Sequence, residues 1–289
     1  MKKIMTMVAL AAMTLGFVAC GDDDPITRDE VNFGVTDLVS KTVTGDNFFD
    51  YTGLGLRMHL NYLSDTAYMA VVNTKFSAMQ PFPVSFALTK LGITYTDRSR
   101  FKLSSTTSYD PLPGMGYQVN NVRMSADLLM KAYYLTYTVT SNHATSQVYV
   151  YPQSILTTLE DDDVDYANAK EFYATFTAKP GQNSTYEGNV LLTDVQFSIG
   201  TAKSPVMTIR IPYDEHVTIT PNKRGYTVTG SGITGLYRQG ESWIPFEQST
   251  IDNLAIDVDV VNKQYSIFFN CMEYEGVPGE FESSGKLYL

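Results

Sequence analysis

The sequence has few of the residues that build reactive centres, with two cysteines, three histidines and one tryptophan in 289 residues. His59, His143 and His216 stand far apart, and no histidine or cysteine pair has the spacing of a zinc site. The chain also lacks a Gly-x-Ser-x-Gly element and a phosphate-binding glycine loop with its lysine. We therefore predict no catalytic residues, no metal site and no cofactor.

Basic residues are also scarce. The chain has 21 Lys and Arg against 31 Asp and Glu, a formal net charge of −10, and the basic residues form no cluster. The chain therefore lacks the clustered positive charge that is typical of nucleic-acid-binding proteins. We therefore predict no nucleic-acid partner.

Long hydrophobic runs are missing beyond the N-terminus. Lys2 and Lys3 precede residues 4–18, which are almost all apolar or small. This run is shorter than the ~20 residues that a transmembrane helix needs. A short basic segment followed by an apolar run is typical of a signal peptide, which we place at residues 1–19.

The residues at the end of this run indicate an anchor. Phe17-Val18-Ala19-Cys20 resembles the lipobox of bacterial lipoproteins, in which the cysteine thiol is acylated and becomes the new N-terminus; Phe17 stands where Leu is usual. The resemblance implies an outer-membrane lipid partner, attached through Cys20. More than one acyl chain gives a stable anchor, because each buried methylene contributes roughly 0.8 kcal/mol.

The three acidic residues that follow resemble the signal that sends Bacteroidetes lipoproteins to the outer face of the outer membrane. They are Asp22, Asp23 and Asp24. The resemblance implies a lipid-anchored protein that faces the cell exterior, with periplasmic retention as the alternative. Cys271 is then the remaining cysteine, and its position after an apolar run predicts a buried thiol.

Most of the chain alternates apolar and polar residues with a period of two. Leu56, Met58, Leu60 and Tyr62 share one face of "LRMHLNY", and "YYLTYTVT" and "LAIDVDV" follow the same pattern. Turn residues interrupt the pattern at short intervals. This combination predicts an all-β fold of antiparallel strands. The best helix candidate is "DVDYANAKEFYATF", which begins at Asp163.

The acidic run "LEDDDVDYA" divides two halves with similar features. For example, "PFPVSFALT" is echoed by "KSPVMTIRI", and "GMGYQV" is echoed by "KRGYTV". We therefore predict a diverged tandem duplication. The predicted segments are the signal peptide at 1–19, a lipidated acidic tether at 20–35, β domain 1 at 36–158, an acidic linker at 159–169 and β domain 2 at 170–289.

The Tyr-x-Gly strand openings and the terminal "ESSGKLYL" resemble the calycin-like lipoproteins of Bacteroidetes. This resemblance implies two tandem β-sandwich or calycin-like barrel domains. It implies no catalytic residues.

Aromatic residues in loops are the best candidates for ligand contacts. Trp243 and Phe246 stand among polar residues in "QGESWIPFEQS", and Tyr109 and Tyr117 flank "DPLPGMG". An exposed aromatic ring can stack on a sugar, whereas a loop tryptophan can also close the end of a barrel. The barrel-end role is the stronger interpretation of Trp243, and the alternative hypothesis is that these four residues form one ligand edge.

Paired acids offer a weaker alternative. Asp257 and Asp259 share one strand face and could contribute oxygens to a calcium site. Solvated surface acids are the stronger interpretation, so no metal is predicted there.

Three classes of function remain. The first is a non-catalytic surface lipoprotein that binds a glycan or a small apolar molecule. The second is a surface enzyme that acts on glycans, and the third is a structural or adhesin component of the envelope. The absence of a recognisable catalytic constellation favours the first.

Overall fold

The computed structural model describes residues 30–289, except 63, 142–143, 158–172, 181–185, 196–197, 200–201, 204, 247–248 and 275–276. The described chain is all-β, and it forms two large curled antiparallel sheets, each a half-barrel. The predicted all-β class is therefore confirmed. No helix in the described part of the chain could cross a bilayer.

The first sheet has ten strands. They are β1 (Glu30–Val35), β2 (Leu38–Thr44), β3 (Asn47–Thr52), β4 (Gly55–Asn61), β5 (Thr66–Thr74), β6 (Val84–Tyr95), β7 (Arg100–Ser105), β8 (Gln118–Asp127), β9 (Ala132–Thr140) and β10 (Thr145–Pro152). Their order across the sheet is β1-β4-β5-β6-β7-β8-β9-β10-β2-β3. The early strand β2 thus pairs with the last strand β10, which curls the sheet back on itself.

The second sheet has eleven strands, and a separate two-stranded hairpin lies between β13 and β16 in the chain. The strands are β11 (Ser154–Thr157), β12 (Tyr173–Pro180), β13 (Tyr186–Val195), β14 (Ser198–Ile199), β15 (Ala202–Lys203), β16 (Met207–Pro212), β17 (Val217–Pro221), β18 (Gly225–Gly230), β19 (Leu236–Gln239), β20 (Ser242–Pro245), β21 (Asp252–Asp259), β22 (Gln264–Tyr274) and β23 (Val277–Tyr288). The order is β17-β18-β21-β22-β23-β11-β12-β13-β16-β19-β20, with β14 and β15 in the hairpin. Here, too, the first strand, β11, pairs with the last, β23.

Two hairpins occupy equivalent places in the two sheets, β8–β9 and β21–β22. Oδ1 of Asp127 accepts hydrogen bonds from the N–H groups two and three residues further on, and Oδ1 of Asp259 does the same. Lys131 and Lys263 end the two turns with φ of 53° and 58°. The predicted echo of "GMGYQV" by "KRGYTV" runs one strand out of step with this match, because it pairs the start of β8 with the start of β18 rather than β21.

Each half-barrel has a packed interior. Tyr137 and Phe101 are among the largest fully buried side chains of the first sheet, and Phe176, Phe269 and Phe281 are among those of the second. The inward residues follow the predicted alternation, since Leu56, Met58 and Leu60 are all buried. Burial of apolar area at roughly 25 cal/mol per Å² stabilises both sheets.

The junction between the sheets is held by a buried ion pair. Nζ of Lys41 on β2 lies 2.7 Å from Oδ1 of Asp50 on β3, and it donates to the carbonyl oxygen of Asn222 at 2.9 Å. The hydroxyl of Tyr186 on β13 donates to Oδ2 of Asp50 at 2.6 Å. Lys41 is fully buried, and this burial lowers the pKa of its ammonium group.

The two hairpins add further bonds across the junction. Tyr134 donates to the carbonyl oxygen of Val260 at 2.9 Å, and Tyr288 donates to Oδ2 of Asp127 at 2.5 Å. Tyr134, together with Val39 and Tyr151 of the first sheet, packs into the hydrophobic cluster of the second. The two sheets therefore share apolar and polar contacts.

The bounds of the sheets differ from the predicted domain bounds. Glu30–Val35, predicted as tether, forms β1, because Val31 is buried and Phe33 packs against Phe101. Ser154–Thr157, predicted at the end of β domain 1, forms β11 of the second sheet. The helix candidate lies outside the described residues up to 172, and its last residues from Tyr173 onward are strand β12.

Candidate ligand-binding cleft

A cleft of about 490 Å³ opens where the two sheets meet. Its walls come from the β1–β2 and β3–β4 connections and the ends of β4 and β5, together with Gln153 between the sheets and Lys179 on β12 of the second sheet. The lining residues are Gly34, Val35, Thr36, Asp37, Thr52, Gly53, Leu54, Gly55, Leu56, Arg57, Val72, Asn73, Gln153 and Lys179. Gln153 is the single residue between β10 and β11, so the chain crosses from sheet to sheet at this cleft.

Small residues on the strands next to Arg57 leave the part of the cleft around its side chain open. Arg57 on β4 pairs with Gly34 on β1 and with Ala70 on β5. Cross-strand partners project from the same face of a sheet, so neither neighbour covers the guanidinium group with a long side chain. Arg57 itself is half-buried.

Three wall residues have left-handed backbone, Asp37 (φ 57°), Gly53 (φ 91°) and Asn73 (φ 58°). Asn73 lies at a register shift in β5, where its side-chain nitrogen donates to the carbonyl oxygen of Gly53 at 2.7 Å. Its backbone N–H donates to the hydroxyl of Ser85 at 2.9 Å. Non-glycine residues in this region cost energy and gather at functional sites, and here the hydrogen bonds hold the wall in place.

The cleft contains two cations and one acid. Arg57 comes from the first sheet and Lys179 from the end of β12 in the second. Neither has an ion pair or a side-chain hydrogen bond with another described residue. The acid is Asp37, whose Oδ2 lies 3.5 Å from the hydroxyl of Thr36.

The predicted aromatic residues lie elsewhere. Trp243 is on the edge hairpin β19–β20, with the guanidinium carbon of Arg210 5.9 Å from its ring centroid. Phe246 stacks on Tyr237 at 5.8 Å and packs against the core of the second sheet. Phe246, rather than Trp243, thus closes part of this core.

Tyr109 and Tyr117 pack against the core of the first sheet. The hydroxyl of Tyr109 donates to the carbonyl oxygen of Thr89, and it lies 2.9 Å from Oγ of Ser105. The ring of Tyr117 lies 6.3 Å from that of Phe76. The structure therefore places the four predicted residues as two pairs on different sheets, and none of them lines the cleft.

The two acids considered as a calcium site, Asp257 and Asp259, have different surroundings. Asp259 is buried and caps the turn that follows it, with Arg224 at 3.4 Å. Asp257 lines a second depression of about 460 Å³ on the outer face of β18, β21, β22 and β23, together with Glu282 and Phe268. The carboxylate of Asp259 accepts hydrogen bonds within its own turn, so it is not available as a second cation ligand beside Asp257.

One group of side chains has the composition of a metal site. The ligand atoms of Asp214, Glu215 and His216 lie within 4.8 Å of one another at the surface. Oδ1 of Asp214 already accepts the N–H of His216 at 2.9 Å. This arrangement is a capped turn before β17, and exposed acidic groups of this kind are common.

Of the remaining residues named in the sequence analysis, the structure describes Cys271. Cys271 is buried, and burial raises the pKa of its thiol to about 12, as expected for an unreactive cysteine. Cys20, Asp22, Asp23, Asp24 and His143 lie outside the described residues.

The sequence contained a partial signal for the cleft. Arg57 stands on the polar face of "LRMHLNY", and glycines recur nearby at 34, 53 and 55. Only the pairing of β4 with β1 brings Gly34 beside Arg57. Lys179 could not be assigned, because it comes from a separate sheet.

Comparisons of this chain with protein-family models, with curated proteins and with solved structures gave no match.

Proposed function

We propose that this protein is a non-catalytic, lipid-anchored envelope protein that binds a glycan in the cleft at the sheet junction. The observation that carries the proposal is the cleft itself. Its volume of about 490 Å³ falls within the roughly 300–1,000 Å³ of small-molecule sites.

The lining suits a polyhydroxylated ligand better than an apolar one. Seven of the lining side chains are polar or charged: Thr36, Asp37, Thr52, Arg57, Asn73, Gln153 and Lys179. Val35 and Val72 supply apolar surface between them. Sugars present hydroxyl groups at their edges and C–H groups on their faces, which matches this mixture.

The number of acids supports binding rather than hydrolysis. Most glycosidases use two carboxyl groups on either side of the scissile bond. Among the described residues that line the cleft, Asp37 supplies the single carboxyl group, and the others are neutral or cationic.

The anchor completes the proposal. Cys20 precedes the first residue of β1, Glu30, by ten positions, a stretch that reaches at most about 35 Å when fully extended. β1 leads from Glu30, the end nearer to Cys20 in the chain, to Val35, which lines the cleft. We propose that the lipid is attached at Cys20, and that Asp22, Asp23 and Asp24 direct the protein to the cell exterior.

The binding proposal is tested on an array of neutral and acidic oligosaccharides with the chain from residue 21 onward. The Gly34→Leu variant should lose binding, because its side chain projects beside Arg57. Gly92→Leu is the matched control, since Gly92 is also an exposed strand glycine with similar room for a Cβ, 3.7 Å from an oxygen against 3.8 Å at Gly34. Absence of binding by the unmodified protein, or equal loss in both variants, would contradict the proposal.

The anchor is tested by palmitate labelling of the full chain in the expressing bacterium. We expect labelling that Cys20→Ala abolishes, and equal labelling of both forms would exclude the anchor. Protease treatment of intact cells should degrade the protein if it faces the exterior, whereas protection would place it in the periplasm.

A further inference from the structure

We propose that the glycan in this cleft is anionic, and that Arg57 binds its carboxylate or sulfate group while Lys179 contacts it from the second sheet. This inference rests on the proposed function and adds the chemical class of the ligand. It starts from the two lining cations, which have no acid partner among the described residues.

Arg57 is placed to recognise an anionic group that offers two neighbouring oxygens. Its strand fixes its backbone, and the small partners Gly34 and Ala70 leave the guanidinium group open to the cleft. A guanidinium group offers paired N–H donors that match a carboxylate or a sulfate, and such bidentate pairs are among the stronger hydrogen bonds in proteins. A half-buried position strengthens this interaction relative to an exposed one.

Three other cations of the described chain already have an acidic neighbour. Arg100 pairs with Asp97, and Lys41 pairs with Asp50. Arg224 lies near Asp259. Arg57 and Lys179 differ from these three because they line a cleft and have no such neighbour among the residues that the structure describes, in a chain with a net charge of −10.

Asp37 limits how the ligand can lie. With Arg57 and Lys179 present, the lining has a net charge of +1. Asp37 repels a second anionic group on its side of the cleft, and its oxygens can accept hydrogen bonds from sugar hydroxyls. The arrangement fits a glycan with one acidic group between the cations and neutral hydroxyls near Asp37.

The experiment compares three probes by titration calorimetry: α-1,4-galactotriose, the same trisaccharide with one residue replaced by galacturonate, and the same trisaccharide with one 6-O-sulfate group. We expect an acidic probe to bind at least about tenfold more tightly than galactotriose, the scale of one charge-assisted contact. A preference for the galacturonate probe identifies a carboxylate ligand, and a preference for the sulfated probe identifies a sulfated one.

The variants assign the contacts. Arg57→Gln should weaken acidic-probe binding by about tenfold or more, and by more than it weakens galactotriose binding, whereas Lys179→Gln should cost less because Lys179 is exposed. Arg57→Lys keeps the charge and should restore only part of the affinity. Arg123→Gln, an exposed arginine on β8, is the control and should bind as the unmodified protein does.

The outcomes separate this inference from the proposed function. Equal affinity for galactotriose and the acidic probes, or full acidic binding by Arg57→Gln, would overturn the anionic ligand and leave glycan binding intact. No binding of any probe or array glycan would overturn both. Thermal melting of each variant shows whether a loss comes from unfolding, and Gly34→Leu then provides a charge-neutral block of the same cleft.

Discussion

The hydroxyl of Tyr186 donates a 2.6 Å hydrogen bond to Oδ2 of Asp50, and this bond joins the second sheet to the first. Asp50 also holds the fully buried Lys41, so one carboxylate connects a cation of its own sheet with a hydroxyl of the other. The cleft lies at this same junction. Its shape therefore depends on contacts that hold the two sheets together.

Removal of Asp50 should destabilise the protein strongly. Asp50→Ala leaves the Lys41 ammonium group buried without a counter-charge, a change that costs about 3–5 kcal/mol in comparable pairs. Denaturant unfolding monitored by circular dichroism measures the free energy of unfolding. Asp46→Ala is the matched control, because Asp46 also pairs with a lysine, Lys223, but lies fully exposed. Similar small effects of both variants would show that the buried pair does not hold the junction.

The protein should lose stability at alkaline pH. Burial raises the pKa of several tyrosine hydroxyls above the ordinary value of about 10. They are Tyr134, Tyr137, Tyr151, Tyr186, Tyr213 and Tyr226. A group with a raised pKa keeps its full stabilising contribution below its unfolded pKa, and this contribution is lost as the pH rises towards its folded pKa.

The measurement is the free energy of unfolding between about pH 8 and about pH 11, a range that spans the ordinary tyrosine pKa. Lys41 acts in the opposite direction, because its pKa is lowered by burial and its contribution increases with pH. The six tyrosines outnumber it, so we expect a net decrease. An unchanged free energy, with tyrosinate absorbance appearing near pH 10 in the folded protein, would contradict the burial of these hydroxyls.

The packing of Phe246 in the core is tested by a substitution at Gly235, which lies against its ring. A Cβ at Gly235 would lie 2.6 Å from the Phe246 ring and 2.7 Å from Ile251. Gly235→Ala should therefore lower the free energy of unfolding by about 1–3 kcal/mol, the cost of an overpacked core. Gly92→Ala, where the Cβ would lie 3.7 Å from its nearest neighbour, is the control. Equal effects would mean that Phe246 moves freely and is not part of the core.

The equivalent turns allow a stabilising change. Lys131 is exposed and has φ of 53°, a conformation that costs about 1–2 kcal/mol for an L-residue. Lys131→Gly should increase stability by about 0.5–1 kcal/mol, because glycine adopts this backbone without strain but loses more entropy on folding. Lys102→Gly in the regular strand β7 should decrease it. A decrease in both variants would show that the turn carries no strain.

Several sequence predictions depended only on local pattern and agree with the structure. The period of two in "LRMHLNY" and "LAIDVDV" placed Leu56, Met58, Ile256 and Val258 in cores, where they are buried. In "YYLTYTVT" the same rule assigned Tyr134 to the polar face. Tyr134 is nevertheless buried, because that face meets the second sheet and its hydroxyl donates to Val260.

The candidate site was less predictable. Trp243 and Phe246 are conspicuous in the sequence among polar neighbours, but one lies over Arg210 and the other joins a core. Arg57 and Lys179 are ordinary surface cations in the sequence. They become candidates because strand pairing and the sheet junction place them on one cleft.

The sequence by itself determined the all-β class and most of the inward-facing residues, because side chains alternate across every strand regardless of its partners. It also carries the proposed anchor signal at Cys20. The tertiary structure alone decided which strands close each half-barrel, which polar residues are buried between the sheets, and where the cleft opens. These features arise from contacts between residues far apart in the chain, such as Asp50 and Tyr186, which no local pattern records.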